Sequence, residues 1–561
     1  MIDRVHAVRF GSQLRANVHA RSFGAAAIGT LTAVGILVSY LTLRLVNVGS
    51  LPPFVDELIY ASKAQALANN SPLSLVWDGH GPSFFGAEYW LGHLIQPLVN
   101  AGRTLSVLSG LAILVLLFLV GKRLWSPWVG LTAAVLYVLS PFAITYDRMA
   151  LVESFQAMLM LVCLYLGLVL APERRVVLQF ALAVVLAGAL TATLLVKLSS
   201  TVVLGWIVLA LLFGGAVAVI PSGRRRLRVN WISLVLAGSA AAVSWLAYRW
   251  QYQNPAYQSG TLGGLHFHAR DVVLHPLQTW VPRLSDFVAP TLVGYFTPPV
   301  LVVLLVATFA LIVLVGQTAL RRRWDDDVSG ALIAGGAAAA ALVAPVFYVS
   351  ISYPRYFFTA VPPLMLLGGW GISRFLDRAF RNQSAARVAP LVAAAISAMS
   401  LPYAYALLSE PATAPIPAAD RVQVVTGWAG GYGLSDMAAS IRAAESSSDQ
   451  PALVALVGER PLWSYQLGLY MAIDHEPGAA LPPYPTLRDV RADVASSSGV
   501  DLDVRTRLGV VPDVPIVALV EGGPDAQSRW LAANQGFTLL RSYSGPGMHS
   551  FAAYGSGKFA S

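Results

Sequence analysis

The chain is dominated by long apolar runs that are separated by short polar segments. Each run approaches the roughly 20 residues that an α-helix needs to cross a bilayer. We place about eleven spans, at residues 25–46, 104–121, 127–145, 150–171, 176–196, 199–220, 230–250, 290–317, 329–350, 356–373 and 387–408. Helices are the expected form, because unpaired backbone groups are costly in lipid and the alternating pattern of a membrane barrel is absent.

The amino-acid composition agrees with this pattern. Hydrophobic residues make up 56% of the chain and charged residues only 12%, whereas soluble globular proteins have about 25% charged residues. Most of the chain must therefore be surrounded by lipid. We predict a polytopic α-helical membrane protein.

Positively charged residues mark every second connection between the predicted spans. They occur in the N-terminal arm and in the connections around residues 122–123, 174–175, 224–228, 321–323 and 374–381. Such connections face the cytoplasm, so the alternate connections and everything after residue 410 face outward. We therefore expect a protein of the plasma (inner) membrane with a cytoplasmic N-terminus, and the first apolar run is long enough to remain as a signal anchor.

The formal net charge of +9 is unevenly distributed. Residues 410–561 contain 10 Lys and Arg against 15 Asp and Glu, a balance of −5, which leaves +14 on the membrane part. The excess is explained by membrane topology, so we expect no nucleic-acid partner. Cys163 is the only cysteine, which excludes an intramolecular disulfide or a cysteine-rich zinc site.

Two domains are predicted. Residues 1–409 form a transmembrane domain with large outward loops at 48–103 and 251–289, and residues 410–561 form a small extracytoplasmic α/β domain. In the first loop, two interfacial helices are expected within 53–70 and 88–99, with a Gly/Pro/Ser loop between them. In the tail we expect helices at 434–445, 462–472 and 524–535, strands at 452–457 and 514–522, a loop at 493–503, and a hairpin through 537–554.

Two adjacent carboxylates, Asp56 and Glu57, begin the first outward helix directly after the first span. Tyr60 and Lys63 follow Asp56 at helical spacing, so one helix face would present an acid, a phenol and an amine toward the membrane edge. The structural alternative is that the two acids only cap the helix and interact with its dipole.

A second group of charges lies in the short turn between the third and fourth spans, in SPFAITYDRMALVESF. Asp147 and Arg148 occupy the turn, and Glu153 already lies within the next apolar run. A carboxylate inside a span costs about 2.5–3.5 kcal/mol at the centre and less near the end, so Glu153 should have a partner. An ion pair between Arg148 and Glu153 that fixes the turn is the alternative to a role in a site.

Two isolated cations occur at the outer ends of later spans. Lys197 lies between the fifth and sixth spans, and Arg355 lies at the start of the tenth. They would reach the same membrane level from different helices, and together they could hold a lipid phosphate by charge-assisted hydrogen bonds. For Lys197 the alternative is simple snorkelling to the outer surface.

The second outward loop is rich in histidine and aromatic residues. His266 and His268, with His275 nearby, could bind a divalent metal together with a carboxylate of the first loop. The aromatic residues of the same loop also fit a membrane-boundary anchor.

The order and spacing of these segments resemble the GT-C superfamily of membrane glycosyltransferases, specifically the family that includes protein O-mannosyltransferases and the aminoarabinose transferase of lipid A. The resemblance is carried by VDELIYASKAQAL, SPFAITYDRMALVES, GALTATLLVKLSS and YPRYFFTAVPPLMLLGGWG. The tail is similar to that of bacterial members in RVQVVTGWAGGYGLSDMAASIR and LLRSYSGPGMHSFAAYG. At the family's His-Pro-Pro-like element this chain instead has HGPSFFGAEYW, so the resemblance does not define the acceptor.

The resemblance implies a set of site residues. Asp56 would be the catalytic carboxylate and Glu57 its motif partner. Arg148 and Glu153 would belong to the site at the second outward turn, and Lys197 and Arg355 would hold the donor phosphate. We also assign Tyr60, Lys63 and Tyr353 to substrate binding.

The implied function is transfer of a sugar from a polyprenyl-phosphate donor to a hydroxyl of a glycan, lipid or protein acceptor at the outer face, with inversion. Such a donor needs no nucleotide site, in agreement with the absence of a nucleotide-binding glycine fingerprint. No cofactor is required, although the histidine pair leaves a divalent metal open. A transporter or flippase would favour charges in mid-membrane, and a noncatalytic glycan-binding protein would leave Asp56 dispensable.

Overall fold

The computed structural model describes residues 27–68, 80–214, 230–253, 274–321, 326–348, 353–381, 383–427, 430–446, 453–457, 467, 488–490, 516–521, 524–546 and 550–556. Within them, a bundle of α-helices is followed by a five-stranded sheet. This agrees with the predicted fold class, a polytopic helical protein with an α/β tail.

In chain order the helices are α1 Ala27–Leu45, α2 Val55–Ala68, α3 Pro82–Gly92, α4 Leu98–Leu124, α5 Pro127–Val138, α6 Pro141–Tyr146, α7 Val152–Leu170, α8 Val176–Leu194, α9 Val203–Gly214, α10 Trp231–Tyr252, α11 Pro276–Arg283, α12 Ala289–Tyr295, α13 Pro298–Arg321, α14 Asp326–Tyr348, α15 Val361–Phe380, α16 Ala389–Ser397, α17 Leu401–Ser409, α18 Ala418–Arg421, α19 Leu434–Ser446 and α20 Pro524–Ala533. Two 3₁₀ segments matter for the site, Leu198–Val202 and Pro354–Ala360.

Each of the eleven predicted spans corresponds to a helical segment. Among the described residues, eight helical segments are long and apolar enough to cross a membrane: α1, α4, α7, α8, α10, α13, α14 and the continuous stretch Ala385–Ser409. The segments α5 and Ser199–Gly214 are apolar but shorter. The remaining one, α15, has three charged residues in its last turns.

The third predicted span, 127–145, is not one continuous helix. Helix α5 ends at Val138, and α6 begins at Pro141 after a break at Leu139 and Ser140. Proline has no backbone N–H and its ring clashes with the preceding turn, so a helix cannot continue unchanged through it. The break bends the chain toward the second outward turn.

The break leaves backbone carbonyls at the end of α5 without helical partners, and the arginine of a buried ion pair donates hydrogen bonds to them. Arg44, at the end of α1, donates from Nε to Asp147 Oδ2 at 3.3 Å and from Nη1 to the carbonyl of Val138 at 2.6 Å. The hydroxyls of Tyr137 and Ser154 donate to Asp147 Oδ1 at 3.0 and 2.8 Å. Unpaired polar groups are costly in an apolar interior, so this network holds α1, α5 and α7 together.

Glycines allow several helices of the bundle to approach closely. A Cβ on Gly121 of α4 would lie 2.5 Å from Gly130 Cα of α5, and a Cβ on Gly369 of α15 would lie 2.9 Å from the carbonyl oxygen of Val129. Small residues have this role at membrane helix interfaces, where packing rather than water exclusion drives association.

Some of the predicted cytoplasmic connections meet at one end of the bundle. Trp125 donates from Nε1 to the carbonyl oxygen of Asp327 at 3.3 Å, and its ring stacks on Trp370. Arg374 forms an ion pair with Asp327. The end of α4, the start of α14 and the last turns of α15 therefore lie together, as the charge alternation requires, while the side of the membrane itself remains a prediction.

The first outward loop contains two helices, but the second is displaced from its predicted position. We expected it at 88–99 and a loop through residue 86, whereas α3 runs from Pro82 to Gly92. Proline suits the first turn of a helix, where its missing N–H has no partner in any case. Residues 69–79 lie outside the described residues.

The strands of the tail form one mixed sheet. They are β1 Leu453–Val457, β2 Arg488–Val490, β3 Ile516–Glu521, β4 Phe537–Ser544 and β5 Ser550–Ser556, in the order β2-β1-β3-β5-β4. Strands β1, β2 and β3 are parallel, and β5 pairs antiparallel with β3 and β4. Helices α19 and α20, strands β1 and β3 and the closing hairpin lie where the sequence predicts them, whereas β2 was not predicted.

Two predicted elements of the tail lie outside the described residues. They are the loop at 493–503 and, apart from Leu467, the helix at 462–472. The boundary between residues 409 and 410 also remains a prediction.

The sheet packs directly against the outward helices of the bundle. A shared apolar cluster joins α2 and the start of α4 to α19 and the sheet; its members include Leu58, Ala61, Leu98, Val99, Leu434, Ile441, Val517, Leu519 and Phe551. The tail therefore lies next to the helix that carries Asp56.

Candidate functional site

Asp56 and Arg355 form an ion pair on the side of the bundle that contacts the tail. Asp56 lies in the first turn of α2, and its Oδ2 is 3.0 Å from Nη1 of Arg355 in the 3₁₀ segment Pro354–Ala360. Their side chains are 17% and 12% exposed, whereas the adjacent Glu57 is fully buried. Asp56 is therefore the accessible carboxylate of the adjacent pair Asp56 and Glu57.

Lys197 and Glu153 form a second ion pair beside the first. Lys197 Nζ donates to Glu153 Oε1 at 3.1 Å. The same Nζ lies 4.4 Å from the centre of the Tyr356 ring, and Cζ of Arg355 lies 5.5 Å from that ring. The structure thus brings the two isolated cations to one aromatic side chain, each with a carboxylate partner.

The electrostatic surroundings of Asp56 include the whole group. Burial raises the pKa of Asp56, and the positive charges of Arg355 and Lys197 oppose that rise. The negative charges of Glu153 and Glu57 raise the pKa further. Because opposite and like charges act strongly only at short range, the two ion pairs constitute one site.

Glu57 points away from this site and holds the protein together. Nε and Nη2 of Arg103 on α4 donate to its two oxygens at 2.9 and 3.0 Å. The backbone N–H groups of Phe54 and Ala150 also donate to it, at 2.8 and 2.6 Å. The capping alternative for the acidic pair therefore applies to Glu57, which caps α2, and not to Asp56.

Arg148 lies at the end of the first span instead of pairing with Glu153. Its side chain is almost fully buried, and its guanidinium donates to the carbonyls of Leu43, Arg44, Val46 and Asn47 and to the hydroxyl of Ser50. The last carbonyls of a helix lack partners within it, so a cation there is favourable. The alternative of an Arg148–Glu153 ion pair does not hold, because Glu153 pairs with Lys197.

Tyr60 contacts the site through His80. Its hydroxyl lies 3.0 Å from His80 Nε2, and the backbone of His80 forms a β-bridge with Lys197. The chain passes so close at this point that a Cβ on Gly81 would lie 2.1 Å from the carbonyl oxygen of Leu195. Burial raises the pKa of Tyr60, so its phenol remains protonated.

Lys63 and Tyr353 lie at the margin of the site. Lys63 is half-buried, burial lowers its pKa, and it forms no ion pair with any residue that the structure describes. The Tyr353 ring lies 5.0 Å from Cζ of Arg355. Burial raises the pKa of the Tyr353 hydroxyl, and the side chain of Gln423 in the tail opposes that rise. The predicted face of Asp56, Tyr60 and Lys63 is therefore not a single polar surface.

The tail contributes a buried carboxylate that the sequence did not indicate. Oδ2 of Asp420 in α18 accepts hydrogen bonds from the hydroxyls of both Tyr146 and Tyr295. Burial raises the pKa of Asp420 to about 6, while the charge of Arg355 lowers it and that of Glu153 raises it. Asp420 is the last residue of the Pro-rich stretch EPATAPIPAAD, where nothing local distinguishes it from a solvated loop residue.

Arg44 and Arg103 were also absent from the predicted site residues, although the sequence contains a pattern that could have identified them. Both are basic residues at the edges of apolar helices, and charged residues in such positions usually have specific partners. Their partners in the structure are Asp147 and Glu57.

A further acid, Glu88 of α3, is fully buried, and neither of its carboxylate oxygens has a hydrogen-bond partner among the described residues. Burial, with the charge of Glu57, raises its pKa well above the ordinary value. The absence of a side chain at Gly102 makes room for it, since a Cβ there would lie 2.4 Å from Glu88 Oε1.

We expect Glu88→Gln to stabilise the protein at pH 8 and to change little at pH 5. Below the unfolded pKa of about 4.3, both states hold the proton. At higher pH the unfolded chain ionises, so folding must take up a proton and stability falls until the raised folded pKa is reached. Glutamine removes this cost, about 1–3 kcal/mol at pH 8.

Thermal unfolding of wild type and Glu88→Gln in lipid nanodiscs at both pH values measures this effect. The exposed Glu410 provides the control Glu410→Gln, for which no pH-dependent difference is expected. An equal change for Glu88→Gln at pH 5 and pH 8 would show that the carboxyl is ionised in the folded protein.

The predicted metal ligands His266 and His268 lie outside the described residues. Among the residues that are described, no group of three His, Cys, Asp or Glu side chains is arranged to hold a metal ion.

Comparison with known proteins identifies the fold. No protein-family model matches the chain, and no curated protein sequence matches it. Among solved structures, ArnT from Cupriavidus metallidurans in the apo state matches at 15% identity, over 96% of this chain and 99% of that chain, with a TM-score of 0.53. The same protein bound to undecaprenyl phosphate matches at 14% identity, over 95% and 98% of the two chains, with a TM-score of 0.50.

A more distant similarity is to the oligosaccharyltransferase of Archaeoglobus fulgidus in complex with Zn and sulfate. The identity is 13%, the match covers 79% of this chain and 61% of that chain, and the TM-score is 0.47. The two ArnT structures alone show that the chain has the GT-C fold over nearly its full length, in agreement with the resemblance of its motifs.

Proposed function

We propose that this protein, whose fold is that of ArnT, is a membrane glycosyltransferase that takes its sugar from a polyprenyl-phosphate donor. The observation that carries the proposal is the pair of adjacent ion pairs, Asp56–Arg355 and Lys197–Glu153, around the Tyr356 ring. It combines a partly exposed carboxylate with two cations that can share one phosphate. This is the chemistry that sugar transfer from a lipid phosphate requires.

The similar fold supports the donor class. One of the two ArnT structures contains undecaprenyl phosphate, which has the same lipid and phosphate groups as the proposed donor. In the described part of the chain, eight helical segments are suited to a bilayer. Such a bundle can hold this lipid with its tail in the membrane and its phosphate at the surface.

The reaction assigns a role to each charged group. The acceptor hydroxyl attacks the anomeric carbon, the new C–O bond forms, and the bond from that carbon to the phosphate oxygen breaks with inversion. Asp56 takes the hydroxyl proton. The leaving polyprenyl phosphate gains a negative charge, which Lys197 and Arg355 stabilise in place of their present carboxylate partners.

The remaining predicted residues act around these groups. Glu57 and Arg148, both buried, are positioning residues that hold α2 and the end of α1. Glu153 orients Lys197, while Tyr60 supports the backbone that lies beside it through His80. Tyr353 contacts Arg355 and the tail, and Lys63 lies further along α2, where it would meet the outer part of a substrate.

The membrane orientation and domain division form part of the proposal. We infer that the site faces outward and that the N-terminus is cytoplasmic, because the basic connections lie in alternate positions. Residues 410–561 would then form an extracytoplasmic domain. The acceptor would be a hydroxyl of a glycan, lipid or protein, and a divalent metal at His266 and His268 would be an addition to this mechanism, not a part of it.

The proposal is tested by measuring transfer in lipid nanodiscs. Purified protein is incubated with each of a panel of radiolabelled polyprenyl-phosphate sugars, with membrane extract from the host as acceptor. Donor-dependent labelling of an extract component is expected, and the product identifies the acceptor. Movement of labelled lipid across the bilayer without transfer would instead favour the flippase alternative, and binding of glycan without transfer would favour the noncatalytic one.

We expect Lys197→Met and Arg355→Met each to lower kcat/KM for the donor roughly ten- to hundredfold, because each removes a charged hydrogen-bond donor from the phosphate. Arg355→Lys should recover only part of the loss, since lysine lacks the planar fork of arginine. Steady-state kinetics with the donor varied provide the measurement. The control is Arg249→Met, which removes an exposed cation at the end of α10, and kinetics equal to this control for both variants would contradict phosphate binding here.

A further inference from the structure

The segment that connects the bundle to the sheet is built into the bundle, next to the proposed donor site. Ala414, Ile416, Val424 and Val425 all belong to the main apolar core of the bundle. Pro417 packs so closely on α12 that a Cβ on Gly294 would lie 2.7 Å from its Cγ. This segment therefore occupies a fixed position relative to the site.

Asp420 is the only acidic residue between Ala414 and Val425, and it joins two neighbouring elements of the bundle. Tyr146, at the end of α6, and Tyr295, at the end of α12, donate to the same carboxylate oxygen. The Tyr146 ring also contacts Phe358, three residues after Arg355. Tyr146 thus links the Asp420 carboxylate to the 3₁₀ segment Pro354–Ala360, which supplies the proposed phosphate ligand Arg355.

The groups that face Asp420 from the neighbouring elements define its charge environment. They are the phenols of Tyr146, Tyr295 and Tyr403, the guanidinium of Arg355 and the carboxylate of Glu153. The phenols are neutral hydrogen-bond donors near neutral pH. On its own element, the Arg421 guanidinium is directed to the carbonyls of Ala412 and Ala414.

The charge balance of the site is unfavourable for an anionic ligand when Asp420 is ionised. The carboxylates of Asp56, Glu153 and Asp420 then outnumber the cations Lys197 and Arg355 by one. A phosphodiester donor adds a further negative charge. Protonation of Asp420 removes one of the three negative charges without disturbing either proposed phosphate ligand.

We propose that Asp420 is a positioning residue of the donor site, whose negative charge opposes the donor phosphate, so that the tail sets the pH range in which the donor binds tightly. The inference rests on the proposed function. It predicts opposite effects of pH on two constants. Donor affinity falls as Asp420 ionises, whereas kcat rises as Asp56 ionises, so kcat and KM for the donor separate on a pH profile.

Binding of a polyprenyl phosphodiester to the full-length protein in nanodiscs, measured between pH 5 and pH 8, tests the inference. A diester keeps a single charge over this range, unlike a monoester, whose second pKa is near 6. Wild-type affinity is expected to fall roughly three- to tenfold with a midpoint near pH 6, the size expected for one partly shielded unit charge. Asp420→Asn should bind at pH 7.5 nearly as tightly as wild type does at pH 5, and it should lack the transition near pH 6.

One further variant provides an independent test, and another serves as the control. Tyr295→Phe removes a hydrogen bond that stabilises the carboxylate, so the pKa of Asp420 rises and the midpoint should move to higher pH, a shift that a purely structural role would not produce. If Asp420→Asn does not fold, this shift decides the question. Asp436→Asn, which removes a tail carboxylate paired with Arg541, is the control and should reproduce the wild-type curve.

The possible failures are distinguishable. Affinity that does not change with pH in the wild type, or a transition near pH 6 that persists in Asp420→Asn, overturns the inference and leaves the donor class intact. Failure of the diester to bind at any pH contradicts the proposed function, and the inference with it.

Discussion

Asp56→Asn is expected to reduce sugar transfer about a hundred- to ten-thousandfold, the usual contribution of a positioned general base. Asparagine has nearly the same shape as aspartate and can still accept a hydrogen bond from Arg355, but it cannot take a proton at neutral pH. The loss should therefore appear in kcat rather than in KM for the donor. Transfer kinetics with a saturating donor and a folded variant provide the measurement.

The pH profile of the wild type adds an independent check. Asp56 must be ionised to act, and burial raises its pKa. The fall of kcat on the acidic side should therefore lie above the ordinary aspartate pKa of about 3.9, and should be absent from the residual activity of Asp56→Asn.

The matched control is Asp525→Asn, which removes an exposed carboxylate that also lies in the first turn of a helix. It should be fully active. An Asp56→Asn protein with the activity of this control would mean that another group takes the proton, and our assignment of the base would be wrong.

Arg103→Met is expected to destabilise the protein by about 3–5 kcal/mol, the usual cost of removing one partner from a buried ion pair. It would leave the fully buried Glu57 carboxylate without its two strongest donors. The carbonyls of Val48 and Leu51, which also accept hydrogen bonds from Arg103, would lose them. Activity should fall as well, because Glu57 is adjacent to Asp56 on α2.

A double-mutant cycle measures the coupling. The double variant Glu57→Leu with Arg103→Met should be more stable than Arg103→Met alone, because it leaves no unpaired buried charge. Equilibrium unfolding in mixed micelles gives the free energies. Arg541→Met, which breaks the partly exposed ion pair to Asp436, is the control and should cost about 1 kcal/mol or less; equal losses from the two arginine variants would contradict a structural role for Arg103.

The helices of the bundle were largely predictable from the sequence because a membrane span is a local property. Length and apolarity decide whether a segment crosses the bilayer, and every predicted span corresponds to a helical segment in the described part of the structure. Helix ends were less predictable. The break before Pro141 and the early start of α3 at Pro82 depend on how single residues fit their neighbours, and a hydropathy pattern averages over such positions.

The candidate site was only partly predictable. The unusual residues could be found, since Asp56, Lys197 and Arg355 are charges at the edges of apolar runs. Their partners could not: the ion pair considered for Glu153 was with Arg148, its neighbour in sequence, whereas in the structure Glu153 pairs with Lys197. Local spacing favoured Arg148, but its guanidinium is needed by the carbonyls at the end of α1, and Lys197 reaches Glu153 from another helix.

By itself, the sequence determined that this chain is a multi-span membrane protein with an α/β tail, and it identified charges that membrane burial makes expensive. Only the tertiary structure decided which carboxylate is accessible, which one is locked against Arg103, and that Asp420 of the tail lies beside the site. The physical reason is the separation along the chain over which each effect acts. Apolarity acts along a short stretch of chain, whereas the energy of a buried charge depends on whichever partners the packing of distant segments brings within a few ångströms.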